Sequence, residues 1–300
     1  LPNQPNFLDA KCLAANLRTT KVVCLGVNTY LLTSKFERIG ARVKFLSIPP
    51  RRQWINSTFI TQYTVRLNIG HDRAGEFFEI SPTIGQSPSI DVLDIQPSDR
   101  HLLLLIREEG AKSKFLCGHD ERHWFVAGIP ESAPVGTVRQ AKEALQPTLV
   151  KSALARVGVS GKSRIRRKNA AFIRQGEWFF VPNPNLFVDH ARVRRNEPLI
   201  RGIGGKPHWA EYCYRIGGET VYVSNRYPNG VTELQYRAIL SSNANANKWP
   251  WKIMKRNPGV YVRGRIRHPD HATITLHGWH QVVMNTENQS RAMRNVAFLD

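Results

Sequence analysis

The chain has 300 residues, 41% of them hydrophobic and seven of them Trp, and it carries a formal charge of +20 from 43 basic and 23 acidic side chains. That apolar content excludes a wholly disordered chain, because burying it offsets the ordering entropy, and the length predicts one large domain or two ordinary ones. The charge is concentrated: residues 151–300 hold 25 basic and 9 acidic side chains, whereas residues 51–150 hold 11 and 12.

A basic half joined to a neutral half predicts an anionic partner for the basic half, nucleic acid or another polyanion. A generally basic surface is the plainer explanation of the same count. Cys12, Cys24, Cys117 and Cys213 are scattered, with no C-x-x-C pair. That spacing argues against a zinc ribbon and a disulfide scaffold, and it predicts a reducing, cytoplasmic setting. No apolar run reaches the roughly 18 residues of a spanning helix, so no membrane association is expected. The chain begins at Leu1 rather than Met, as a fragment or processed product would.

Residues 1–57 show little periodicity and form a poorly defined N-terminal segment. From Thr61 the pattern becomes that of strands: TQYTVRLNI alternates, EFFEI and SIDVLDI follow, and HLLLLIR (His101–Arg107) has the continuous apolar run of a buried strand. KFLC, the polar turn GHDER and HWFVAGI predict a hairpin with a five-residue loop. Between Pro134 and Val157 the period shifts to that of two short helices, stopped by Gly158. Residues 58–158 are therefore expected to form a neutral β unit closed by helices. SGKSRIRRKN holds five basic residues in ten and predicts a basic linker at 159–169, followed by a basic β-rich unit at 170–300. Its strand candidates are AAFIRQGEWFFVP, GETVYVSN, GVYVRGRI, ATITL and WHQVVM, with Gly278 able to turn the chain between the last two. SSNANANKWP is a polar loop or a helix end followed by a loop.

Gly161-Lys162-Ser163 is not a phosphate loop, because Arg156 stands where that motif needs its first Gly. Cys117, His119 and His123 are of metal-ligand type, but a strand–turn–strand with solvated turn charges explains the same letters. The linker cations Lys162, Arg164, Arg166, Arg167 and Lys168 are candidate phosphate contacts. Arg263, Arg265 and Arg267 alternate on one strand, share a face, and are candidates for the same role. The strongest constellation is histidine. His208 follows a glycine-rich stretch, and His268 and His271 flank Pro269-Asp270 just before an alternating strand. Three neutral imidazoles can hold Zn²⁺ or Fe²⁺ with one position open for water, and His280 or Glu211 are candidates for a fourth ligand. The same histidines can instead bond backbone at strand ends, or contact an anion beside the arginines. No G-x-S-x-G elbow and no activated cysteine is present, so nucleophilic catalysis is not predicted.

GEWFFVP, GGKPH, RHPDHATITL and the strand after them resemble an uncharacterised bacterial protein family over roughly 175–287. Its pattern has a T-G-H-x-H turn and a closing H-x-x-H-x-x-I-x-L-x-x-G; FLCGHDERHWFVAGIP is similar to the same group. His208 matches the second His of the turn, and His268 and His271 match the closing pair, while Lys206 stands in place of the first His. The family has no established activity, so the resemblance implies shared architecture; with a lysine at that place, any site common to the family lacks one ligand here. The same half also resembles a cupin barrel weakly. The expected fold is α+β and mainly antiparallel, in two units, the second barrel-like. The expected function is a binding or accessory protein whose basic half engages an anionic partner such as nucleic acid. The alternatives are a metal-dependent enzyme at the histidine cluster and a structural interaction module.

Overall fold

The computed structural model describes residues 28–48, 51–55, 58–62, 65–84, 88–108, 110–200 and 206–289. Their contacts divide into two compact units: one of 28–119 and 124–138, the other of 120–123 and 139–289.

The first unit opens with α1 (Thr29–Glu37), whose N-cap Asn28 accepts a hydrogen bond from the Leu31 amide at 3.0 Å. Then come β1 (Val43–Phe45), β2 (Arg51–Ile55), β3 (Thr58–Gln62), β4 (Val65–Asp72), β5 (Gly75–Pro82) and β6 (Ser89–Gln96). The hairpin partners β7 (His101–Glu108), β8 (Ala111–Asp120) and β9 (His123–Gly128) complete it. Strands β1, β5 and β4 make a three-stranded sheet, β2 pairs β3, and β6-β7-β8-β9 is a second sheet. Leu32 and Phe36 of α1 pack with Phe78, Leu104 and Trp124 in a single core. Residues 28–48, part of the segment that the sequence leaves undefined, thus supply a helix and a strand to this core. Residues 1–27 of the expected poorly defined segment, with Cys12 and Cys24, lie outside the described residues. The predicted five-residue hairpin loop shrinks to Glu121-Arg122, because the polar letters of GHDER continue the ladder to Asp120.

The second unit takes α2 (Val138–Ala144) from Arg139 onward, then α3 (Thr148–Arg156), β10 (Ile173–Gln175), β11 (Trp178–Pro182), β12 (Arg194–Leu199) and β13 (His208–Ile216). After them come β14 (Glu219–Ser224), β15 (Tyr227–Val231), α4 (Glu233–Ser242), β16 (Lys252–Arg256), β17 (Gly259–Arg267) and β18 (Ile274–Met284). The main sheet runs β10-β11-β18-β17-β13-β12; a smaller one runs β15-β14-β16. A capping box between Thr232 and Gln235 starts α4, and its Tyr236 stacks on Tyr222 of β14 at 4.0 Å.

Three expectations are corrected here. Among the described residues no sheet closes into a barrel: the main sheet is open, ending at three-residue β10 and at β12, where Pro198 suits an edge strand. The residues of 159–169 are not a linker, and the helices before them do not close the first unit. Val150, Ala153 and Leu154 of α3 pack against Phe172, Phe179 and Val181, and Gln146 Nε2 donates to the Arg164 carbonyl at 2.6 Å. Finally, ATITL and WHQVVM are one strand: Gly278 (φ +82°) sits in β18 where its pairing with β17 shifts register, a bulge rather than a turn.

The other face of the main sheet buries Phe180, Ala210, Val262 and Ile266 completely. Phe180→Ala removes the largest of these side chains and is expected to destabilise the fold by about 3–5 kcal/mol. Urea denaturation followed by Trp fluorescence measures this, and a loss within error would place the core elsewhere.

Candidate metal centre

The site is built by strand register. Antiparallel pairing of β13 with β17 sets Trp209 opposite Arg267. The next residues out, His208 and His268, therefore meet where the two strands end, with ring centroids 4.2 Å apart. Pro269 and Asp270 then bend the chain so that the His271 ring lies 4.7 Å from His268 and 5.5 Å from His208. One potential ligand atom from each of the three lies within 4.8 Å of the other two. The turn between β10 and β11 covers them. Gln175 Nε2 ties that turn to the Ala272 carbonyl at 2.6 Å, and Gly176 has φ +57°. A Cβ at Gly176 would lie 3.0 Å from His271 Nε2 and 3.5 Å from His208 Nε2. Glycine is required there by its backbone and by the space that these two nitrogens face.

His208 is 2% exposed, and neither ring nitrogen has a hydrogen-bond partner among the described residues. Gln175 Oε1 and Trp178 Nε1, from the covering turn, are likewise buried without one. Each such atom costs about 1–3 kcal/mol unless something satisfies it. His268 is better held: its Nδ1 accepts from the Asp270 amide at 3.1 Å, which leaves Nε2 to donate to the Lys206 carbonyl at 3.3 Å. His271 Nδ1 lies 3.5 Å from Glu121 Oε2. That oxygen accepts from the Ala272 amide at 2.8 Å, while Glu121 Oε1 and Asp120 both pair with Arg167. Glu121 holds a positive φ of 45°, strain that is stored where a turn must aim a side chain. Lys206 Nζ binds both oxygens of Asp270, at 2.8 and 3.0 Å, and His123 Nε2 stands 3.7 Å from it.

Burial pushes His208 down to about 3, with the charges of His268 and His271 acting in the same direction. His271 is lowered chiefly by burial, against the pull of Glu121. The surroundings of His208 and His271 thus favour neutral imidazole, the form that ligates a metal.

The other predicted residues fall in different places. His280 is buried within β18, opposite Val262, with Nδ1 3.1 Å from the Gly278 carbonyl. It does not belong to the group, because β18 runs on through Gly278 instead of folding back. Glu211 is not a ligand either: its carboxylate accepts from the Arg265 amide at 2.9 Å and pairs with the Arg265 side chain. Cys117 is fully buried in the first core, where burial raises its thiol, and His119 packs edge-on against Trp124. Neither belongs to a metal-ligating group among the described residues. Of the basic cluster, Lys162, Arg166 and Lys168 are exposed, Arg164 donates to the Val159 carbonyl, and Arg167 is committed to Asp120 and Glu121. Arg263, Arg265 and Arg267 lie on β17 as expected, on the face opposite Val262 and Ile266.

Glu121, Arg167, Gly176 and Gln175 were not foreseen as parts of the site. Glu121 has the appearance of a solvated turn charge, and only its positive φ and its Arg167 pairing distinguish it. Comparison with family models, with curated proteins and with solved structures found no match.

The neutral state of buried His208 has a measurable consequence. Its folded value lies below the ordinary 6.5, so beneath that pH the unfolded chain binds a proton that the folded chain refuses. The native state is at full strength above pH 6.5 and weakens as pH falls. In chelator-treated protein the loss by about pH 5 is expected to be about 2 kcal/mol. Urea midpoints across that range measure it, and His208→Asn should flatten this part of the profile.

Proposed function

We propose that the second unit carries a divalent-metal centre of the zinc or ferrous type, held by His208, His268 and His271, and that its reaction class is metal-assisted hydrolysis. One observation carries this reading: three imidazoles each bring a nitrogen within 4.8 Å of the other two, and the most buried of them has both nitrogens unpartnered. Three nitrogen ligands leave one tetrahedral position for water, whose pKa a bound metal lowers toward neutrality. Glu121 at His271 Nδ1 suits the usual support of a metal-binding histidine, with a carboxylate on one nitrogen orienting the other toward the ion. The space beside Gly176 is where that other nitrogen, Nε2, faces.

Ligation at about 2.0–2.1 Å sets nitrogens roughly 3.4 Å apart in a tetrahedron. The rings, now inclined to one another by 24–30°, must rotate on loading. His268 must also give up one of its two backbone contacts.

Elemental analysis of untagged protein is expected to find one equivalent of zinc or iron, lost in a folded His268→Ala/His271→Ala variant. A folded wild type that retains no metal after incubation with zinc and desalting overturns the reading. Glu121→Gln keeps the three ligands and removes the charge behind His271. Its zinc affinity, measured by competition with a chromophoric chelator, is expected to fall by about 10–100-fold.

A further inference from the structure

The face of the main sheet that carries the arginines is also lined with aromatic rings, in rows set by the strand register. Across β12, β13 and β17, Arg195 pairs with Tyr212 and Tyr212 with Arg263. Partners in register point to the same side of a sheet. The guanidinium of Arg195, from β12, lies 5.3 Å from the Tyr212 ring, and that of Arg263, from β17, lies 5.0 Å from it. Arg263 also stands 5.1 Å from the Trp279 ring of β18. The row therefore reads Arg–Tyr–Arg–Trp across four strands. Four residues further along β17, beyond Arg265, Arg267 pairs with Trp209; Trp209 is 36% exposed, although Trp is normally largely covered. On the other side Tyr214, which pairs with Tyr261, is only 2% exposed and supports the face from below instead of offering a ring to a ligand.

The charge on this face is not cancelled locally. Arg265 is paired with Glu211, and Arg267 bonds the neutral Asn196. Arg195 and Arg263 form no ion pair among the described residues and are held by rings instead. Successive arginines of β17 stand about 7 Å apart, two residues along a strand, so the Trp209–Arg267 pair lies about 13 Å from Arg263 with Arg265 between them. An extended polymer with one flat aromatic group and one negative charge per unit can follow that spacing.

We propose that this face, centred on Arg195, Tyr212, Arg263 and Trp209, binds single-stranded nucleic acid, with bases stacking on the rings and phosphates meeting the arginines. A duplex keeps its base faces stacked on one another and offers this sheet only its backbone, whereas an unpaired strand offers both. The +16 charge of residues 151–300 supplies long-range attraction, and the aromatic rows supply the short-range contact.

The test is fluorescence anisotropy of the full chain with labelled oligouridylate and oligothymidylate of about 12 nucleotides, beside a duplex of the same length. Chelator-treated protein is used, so the result does not depend on the metal reading. Both single strands are expected to bind more tightly than the duplex, with affinity falling steeply with salt. Trp209→Ala removes one exposed ring and is expected to weaken binding at least about 5-fold. Arg195→Lys/Arg263→Lys keeps the charge but loses the planar stacking, and it should also weaken binding; the exposed control Arg237→Ala should not. Circular dichroism checks that each variant is folded. Absence of binding at low salt overturns the proposal. So does equal affinity for the duplex, or affinity that responds only to Lys162→Ala/Arg166→Ala/Lys168→Ala, since general basicity then accounts for it. Preference for vesicles of anionic lipid over both oligonucleotides overturns it in favour of a membrane surface.

Discussion

The pairing of β13 with β17 is the constraint on which both functional surfaces depend. It sets His208 against His268 at the strand ends and, on the opposite face, Tyr212 against Arg263. A slip of one residue would exchange the faces, sending the arginines into the core and Val262 and Ile266 into solvent. A local irregularity holds the register. The pairing shifts between Ala210 and Tyr212, where Gly264 and Arg265 of β17 stand against the single residue Glu211, whose carboxylate accepts from the Arg265 amide at 2.9 Å. Gly264 makes room for it: a Cβ there would come within 2.8 Å of Glu211 Oε2, and its φ is +81°. The bulge thus has its own polar partner and its own glycine, which makes it a built feature of the sheet.

The histidine group is polar matter placed where packing alone would prefer hydrocarbon. Unsatisfied nitrogens and oxygens on His208, Gln175 and Trp178 subtract from stability, and the surrounding layers bear that cost. Phe180, Val262 and Ile266 pack beneath the sheet, and α3 packs on the other side of β11. Around the histidines the charges are arranged in matched sets, Glu121 and Asp120 with Arg167, and Asp270 with Lys206. The carboxylates that approach the imidazoles are therefore already compensated, and burial holds His208 and His271 toward the neutral form. Lys206, at first sight a lost ligand, acts as the counter-ion of the aspartate between two histidines.

The basic character of the second half divides into two populations. Arg167 and Arg215 are held in ion pairs with Asp120 and Glu197 and serve the fold. Arg195 and Arg263 are held by aromatic rings, contacts that fix a guanidinium while leaving its charge available. Net charge alone cannot separate the two, because both add equally to +20.

Much of this protein was legible from local pattern. Alternation along GVYVRGRI places Arg263, Arg265 and Arg267 on one face and the aliphatic residues on the other, because side-chain direction in a strand follows from sequence parity. The continuous apolar run His101–Arg107 marked a buried strand, and the His268-Pro269-Asp270-His271 spacing marked a turn bearing two imidazoles. Other features depend on which distant segments meet. Glu121 reaches His271 from 150 positions away in the chain, and Gly176 covers a site whose ligands begin 32 residues later. Neither has a local pattern that announces it. The open sheet, the attachment of α3 to β11 and the exclusion of His280 from the site were likewise settled by strand order and by a bulge at Gly278. The sequence by itself determined which residues could face a site, since that is set by local periodicity. Only the tertiary structure decided which of them meet, because pairing between distant strands is chosen by the burial of a shared core.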